Sequence, residues 1–334
     1  MPRLTLSLAI GDYDHAADVL DARVPIEGVD LIVNRLPTEE IFHRFLLHRE
    51  WDIAEVSLGK YVAMRAAGDT AVTALPVFLS RAFRHSMFYV RAGAGLHGPA
   101  DLAGRTIGVP EWAQTAGVYG RGWLCGGSRA CGNVPLSAVR WVQAGLHQPG
   151  RAEKVALALP PGVELRVESD RTLDRMLIEG EIDCVMSAAA PRSFLQQGAV
   201  RIERLLPDYR GAEEAWYRET GIYPVMHALA VRSELLERHP WLAMNLYRAF
   251  DEARRRSMAR LDDIGASHVP MPWLKARCEQ MRELFGEDWF PYGIAANRVT
   301  LDALCRFAHE QGLTRGLIAP ESLFTATTGG EYRI

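Results

Sequence analysis

Leu79-Ser80-Arg81-Ala82-Phe83-Arg84-His85-Ser86-Met87-Phe88-Tyr89-Val90 is the stretch around which the chain is organised. An apolar run enters it from Ala71 to Phe78, and a second leaves it from Met87 to Arg91. Between them stand two arginines, a histidine and two serine hydroxyls. Arg81 and Arg84 present planar, permanently charged donors suited to carboxylates, and His85 is a side chain able to move a proton near neutral pH. An edge strand with solvated charges would carry the same letters, so the flanks decide. Downstream lie Gly93, Gly95, Gly98 and Pro99, a breaker-rich segment of the kind that marks a domain crossing. The stretch therefore reads as the site side of a first passage between two lobes. Side chains alternate faces along an extended strand, which puts Arg81 and His85 on one face and Arg84 on the other unless the strand bulges.

Size agrees with two lobes, because 334 residues exceed the roughly 100 to 200 of one domain. With 48% hydrophobic and 24% charged residues the composition is ordinary globular, not disordered or fibrous. A net charge of -3 without a Lys/Arg block speaks against nucleic acid as the partner. No run of about 18 apolar residues exists to span a membrane. Met1 to Ile10 alternates polar and apolar residues and meets Gly11-Asp12 before it could form a secretory core, so a first strand and a cytoplasmic location are expected. The five cysteines, Cys125, Cys131, Cys184, Cys278 and Cys305, are odd in number and lack a C-x-x-C pair, consistent with reduced thiols. Cys125 and Cys131 could form a disulfide or a metal pair, but their spacing and the absence of a neighbouring histidine favour structural thiols. The histidines show neither H-x-H nor H-E-x-x-H spacing, so no obligatory metal is expected.

Working outward, Leu4–Ile10 and Val29–Leu36 alternate as strands, and Pro37-Thr38-Glu39-Glu40 opens a helix with Thr38 as N-cap and Phe42, Phe45 and Leu46 on its buried side. The loop Gly11 to His15, carrying Tyr13, lies at a strand's carboxyl end, where open α/β sheets bind ligands. Trp51 to Val56 is a short strand that turns at Ser57 into another helix, which brings Lys60 to a strand-to-helix corner; an ordinary surface lysine is the other reading. In the second lobe, Thr106–Val109 ends at Pro110-Glu111-Trp112-Ala113-Gln114-Thr115. Gln114 and Thr115 sit where a helix begins and could hold an anion or only cap that helix. Val139 to Gly145 is a strand carrying Gln143, and Ile182 to Ser187 is a buried strand whose carboxyl end leads to Arg192. A helix over Glu213–Thr220 precedes Gly221 to Val231, a strand carrying His227 that returns to the first lobe. The lobes are thus 1–88 with 223–334, including the C-terminal helices, and 89–222, with the site in the cleft between them.

Two α/β lobes joined by two crossings, each a mostly parallel sheet flanked by helices, look like the type 2 periplasmic-binding-protein architecture. Arg81-Ala82-Phe83-Arg84-His85-Ser86, Trp141-Val142-Gln143-Ala144-Gly145 with Pro149-Gly150-Arg151, Tyr223-Pro224-Val225-Met226-His227, and Tyr292-Gly293-Ile294-Ala295-Ala296-Asn297-Arg298 with Glu310-Gln311-Gly312-Leu313 narrow the match. In this order they are similar to the 4,5-dihydroxyphthalate decarboxylase family, a cytoplasmic offshoot of that fold. The loop Leu124 to Cys131 matches none of these motifs. The resemblance implies aromatic catabolism: an aromatic acid with two adjacent carboxylates and two hydroxyls loses carbon dioxide without oxidation. Neither organic cofactor nor redox partner is implied.

In such a ring the hydroxyl para to the leaving carboxylate pushes electron density onto the carbon that bears it, so that carbon can be protonated before the carbon–carbon bond breaks. The protein must supply a base near the phenol, an acid near the ring carbon, and cations that orient the carboxylates. His85 and His227 are the proton-transfer candidates, each with the alternative of a buried histidine satisfied by the backbone. Glu111 could be an acid if burial raises its pKa. Arg81, Arg84 and Arg192 are the expected carboxylate anchors, with Ser80, Tyr13 and Gln143 as neutral contacts to hydroxyls. Arg81 with His85 is the favoured pair in the cleft. A plain binding protein for a dianionic acid and an enzyme for another small metabolite are the rival readings. A homo-oligomer stays open.

Overall fold

A computed structural model describes residues 3–196 and 198–326. Strand β1 (Leu4–Ile10) leads through the short helix α1 (Ala17–Leu20) to β2 (Val29–Arg35), α2 (Thr38–His48), β3 (Ile53–Ser57), α3 (Leu58–Ala66) and β4 (Val72–Arg81). The chain then crosses through a single 3-10 turn at His85–Met87 into β5 (Phe88–Arg91). Next come β6 (Thr106–Val109), α4 (Thr115–Cys125), β7 (Arg140–Gly145), β8 (Leu165–Thr172), α5 (Leu173–Glu179), β9 (Cys184–Met186), α6 (Arg192–Gln196), β10 (Ile202–Arg204) and α7 (Tyr209–Thr220). It returns as β11 (Val225–Arg232), followed by α8 (Ser233–Arg238), α9 (Trp241–Asp262), α10 (Leu274–Phe285) and α11 (Arg298–Glu310).

The first sheet has the order β2-β1-β3-β11-β4 and the second β10-β5-β9-β6-β7-β8. Strand β11 runs antiparallel to β3 and β4, and β5 antiparallel to β9 and β10. The other pairings are parallel. A strand that arrives from the other lobe has no crossover helix to turn it round, so β5 and β11 are the two that run against their neighbours. All five residues of β3 are buried, as expected of a strand covered on both faces. The crossings leave the first sheet side by side, with the Ala82 N–H donating to the Pro224 carbonyl at 3.2 Å.

Pro76 lies within β4, which is tolerated because β4 is an edge strand. The register between β4 and β11 shifts around Val225, His227 and Ala228, and bulges of this kind re-aim a side chain. Two helix starts differ from the sequence reading. Pro37, not Thr38, occupies the N-cap of α2; a proline there already lacks the N–H that a cap would leave unpaired. Helix α7 begins at Tyr209, four residues before the expected Glu213, because the Asp208 carboxylate caps it by accepting the Gly211 N–H at 3.0 Å. Among the described residues no helix is long and apolar enough to cross a membrane.

Candidate functional site

Between the sheets lies a cavity of about 120 Å³. Its floor is the meeting of two strand-to-helix corners: Ser57 and Lys60 where β3 turns into α3, and Gln114, Thr115 and Ala116 where α4 begins. Glu39 and Phe42 enter from the first turns of α2, Arg84 from the outgoing crossing, and His227 from β11. The structure thus brings together five of the residues the sequence singled out: Lys60, Arg84, Gln114, Thr115 and His227. The corners touch directly. Thr115 Oγ1 accepts the Gly59 N–H at 2.8 Å and is hydrogen-bonded to Ser57 Oγ at 2.8 Å. A Cβ at residue 59 would stand 2.6 Å from the Ala113 carbonyl oxygen, so this approach requires glycine. The Thr115 hydroxyl, read as an anion contact or a cap, instead joins the two lobes.

His227 is positioned by a residue that the sequence reading passed over. Its Nδ1 lies 2.6 Å from Oε1 of Glu55, a fully buried carboxylate at the centre of β3. Glu55 also accepts the Gly11 N–H at 3.0 Å and the Tyr13 hydroxyl. Burial opposes ionisation of Glu55, but the His227 and Tyr13 hydrogen bonds with the Gly11 N–H hold its pKa below the usual carboxylate value. Tyr13, expected to contact substrate, is committed to Glu55; burial beside that carboxylate drives its phenol upward, and Ser80 hydrogen-bonds its oxygen. With Nδ1 occupied, the His227 ring lines the cavity, and Phe42 stands edge-on to the imidazole at 4.8 Å. The signal for Glu55 was present in the sequence: one charged residue inside the apolar strand Ile53–Ser57, where an unpaired carboxylate would be costly.

Lys60 is not a surface lysine, being 1% exposed. Its Nζ is 2.6 Å from Glu111 Oε2, and Glu111 Oε1 is met by Arg151 Nε at 2.6 Å and Lys154 Nζ at 3.0 Å. This overturns the expectation of Glu111 as an acid. Burial does push its carboxyl up, but the charges of Lys60, Arg151 and Lys154 outweigh burial and hold it down to about 2. Glu111 is a fixed anion under the cavity. Burial lowers the Lys60 pKa, with Glu111 opposing that fall. Arg84 differs: its Nε donates to Met226 Sδ at 3.2 Å, and among the described residues no carboxylate lies within ion-pair distance of it. Burial draws its guanidinium down to about 10.

The other predicted residues lie outside the cavity. Arg81 donates to the carbonyls of Tyr223 at 3.2 Å and Pro291 at 2.6 Å and to Asn297 Oδ1, and lies over the rings of Tyr223 and Phe290. It braces the second crossing against the C-terminal segment instead of facing a ligand. The alternation of faces expected to pair Arg81 with His85 stops at Arg81, where β4 ends, and the chain enters a 3-10 turn at His85. Arg192 is exposed at the start of α6. Gln143 is buried in β7, and its Oε1 has no partner among the described residues. Ser80 lies beside His227 in the β4–β11 register and serves Tyr13. Cys125 and Cys131 are free thiols.

His85 is 1% exposed, packed at 4.5 Å from Trp123 and 5.3 Å from Trp216. Among the described residues neither ring nitrogen has a hydrogen-bond partner, and Glu213 Oε1 is 3.9 Å from Nδ1. Burial pushes its pKa from the ordinary 6.5 down to about 3. Below pH 6.5 the unfolded chain therefore takes up a proton that the folded chain refuses until about pH 3, and folding is weakened across that window. His85→Phe, which keeps a ring between the tryptophans, is expected to lose less melting temperature than the wild type between pH 7 and pH 5. Parallel pH series of thermal melts check this.

An α/β pair of lobes with two side-by-side crossings, and between them a cavity lined by an imidazole that is bonded to a buried carboxylate, defines a two-lobed binding-protein fold. The fold has solved counterparts. The periplasmic aliphatic sulphonate binding protein SsuA of Escherichia coli superposes with a TM-score of 0.52 at 12% identity, covering 99% of this chain and 94% of that one. A putative sulfonate-binding SsuA of Methylobacillus flagellatus KT gives 0.55 at 11% identity over 98% and 92%. No family model matches the chain. Among curated sequences, the 4,5-dihydroxyphthalate decarboxylase of Comamonas testosteroni is 38% identical over 335 residues, covering 100% of both chains. That of Pseudomonas putida is 41% identical over 219 residues, covering 65% of this chain and 83% of its own. The chain belongs to the 4,5-dihydroxyphthalate decarboxylase family and is a carboxy-lyase.

Proposed function

We propose that this enzyme converts 4,5-dihydroxyphthalate to protocatechuate and carbon dioxide in the interlobe cavity, with His227 as proton donor and Arg84 as carboxylate anchor. The observation that carries the reading is one imidazole, fixed at Nδ1 by a buried carboxylate, sharing a small cavity with an arginine that has no ion-pair partner among the described residues. In this reading Arg84 takes the carboxylate that stays. The imidazolium of His227, balanced by Glu55, gives its Nε2 proton to the ring carbon that bears the leaving carboxylate. The para hydroxyl donates electron density as that C–H bond forms. The carbon–carbon electron pair then returns to the ring as carbon dioxide leaves, and solvent reprotonates the imidazole. Lys60, ion-paired with Glu111, places a hydrogen-bond donor at the cavity floor while the pair adds no net charge. We place the enzyme in the cytoplasm, with lobes 1–88 plus 223–334 and 89–222.

Incubation with 4,5-dihydroxyphthalate is expected to yield carbon dioxide and protocatechuate in equal amounts. In deuterium oxide the product should carry one ring deuterium, at the vacated carbon. Binding without turnover would make the protein a carrier of such acids, and turnover of a different hydroxylated acid alone would move the substrate. Arg84→Met is expected to raise KM by about 10- to 100-fold with a smaller change in kcat, the scale of one lost charge-assisted hydrogen-bonded contact. Steady-state kinetics check it, and an unchanged KM removes Arg84 as anchor.

A further inference from the structure

We propose that Glu39 recognises the ring hydroxyls of the substrate, and that it is set in place for this only when the two lobes are drawn together. The proposal rests on the decarboxylase reading above and adds the group that reads the catechol end of the ring. Among the described residues lining the cavity, Glu39 is the only carboxylate. Ring hydroxyls are donors and need an acceptor. Arg84 and Lys60 only donate, the Ser57 and Thr115 hydroxyls are bonded to each other and to the Gly59 N–H, and Thr38 and Gln114 offer only neutral oxygens, weaker acceptors than a carboxylate.

Glu39 sits in the first turn of α2, on the side of the first sheet, yet both of its partners come from the side of the second. Gln114 Nε2 donates to Oε1 at 3.2 Å, and Arg151 Nη2 donates to Oε2 at 2.6 Å. Each oxygen accepts one bond there and keeps a second acceptor position. Arg151 also donates to Glu111 through Nε, so the guanidinium that orients Glu39 is anchored to the charge cluster under the cavity. Phe42, three residues further along the same face of α2, touches the His227 ring. The hydroxyl acceptor and the proton donor are therefore carried on packed neighbours. If the lobes part, Gln114 and Arg151 withdraw and the Glu39 side chain, 49% exposed even here, returns to solvent.

The test compares two ligands by calorimetry: protocatechuate, which bears the hydroxyls, and phthalate, which has the carboxylates alone. Glu39→Gln is expected to weaken protocatechuate about tenfold or more while changing phthalate by less than about twofold. Arg151→Met, which removes a partner of Glu39 without touching the ligand, is expected to reproduce the hydroxyl-selective loss at a smaller size. Equal weakening of both ligands by Glu39→Gln would reduce Glu39 to a latch and overturn the proposal, as would no weakening of either. Arg151→Met without effect on protocatechuate would overturn the dependence on closure. Because binding is read without turnover, a wild type that binds both ligands but releases no carbon dioxide from 4,5-dihydroxyphthalate would sink the decarboxylase reading alone. A wild type that binds neither would sink both. Melting temperatures of the two variants verify that each is folded.

Discussion

His227→Asn is expected to lower kcat for 4,5-dihydroxyphthalate by about 10²- to 10⁴-fold, with KM within about threefold of the wild type, the scale on which a positioned proton donor acts. Asparagine keeps a polar group near Glu55 but cannot deliver a proton to carbon. Glu55→Gln should lower kcat by about 10- to 100-fold, in the range found when the partner that orients a functional histidine is removed. Glutamine can still accept from Nδ1, yet it carries no charge to balance an imidazolium in a buried site. Single-turnover measurements separate these losses from product release. Wild-type kcat in the His227 variant would remove the histidine from the chemistry.

Glu111→Gln should destabilise the fold by about 3–5 kcal/mol, the range for breaking a buried pair by removing one partner. Lys60, 1% exposed, would then be left without its counter-charge 2.6 Å away. The sign with pH follows from the Glu111 carboxyl being held down to about 2 against an ordinary 4.5. Its contribution is complete above about pH 4.5 and is lost as the pH falls toward 2. The gap in stability between wild type and variant should accordingly narrow in acid, as read by denaturant unfolding at several pH values. A second variant, Lys60→Met with Glu111→Leu, should recover part of the loss, because an apolar pair needs no charge balance.

The fold was legible because its signals are local. Alternation at Leu4–Ile10, the breakers after Arg91, and the apolar run at Thr106–Val109 each report on residues a few positions away. The site depends on contacts across 172 positions, as between Glu55 and His227, and those leave only indirect traces. Glu55 was visible as a charge inside an apolar strand, but nothing in its neighbourhood said what would satisfy it. Lys60 read more readily as a surface residue because its partner lies across the cleft. Arg81 and His85 went astray for a different reason. The parity rule holds only while a strand stays extended, and the 3-10 turn at His85–Met87 breaks it in the middle of the decisive stretch. Arg84, set on the opposite face by that rule, is the one that enters the cavity.

The two crossings emerge side by side, tied by Ala82 and Pro224, and Arg84 touches Met226 across them. Like the spine of a book, they are where the two covers are joined. Arg84 and His227 both lie at this spine, whereas Gln114 and Arg151 ride on the far cover. Under the proposed function, carboxylate anchor and proton donor meet at this spine, and the ring's other end is read across the gap between the covers. In the proposed function the residues that meet the carboxylate therefore sit where the chain passes between its halves, and the contact that reads the hydroxyls spans the two.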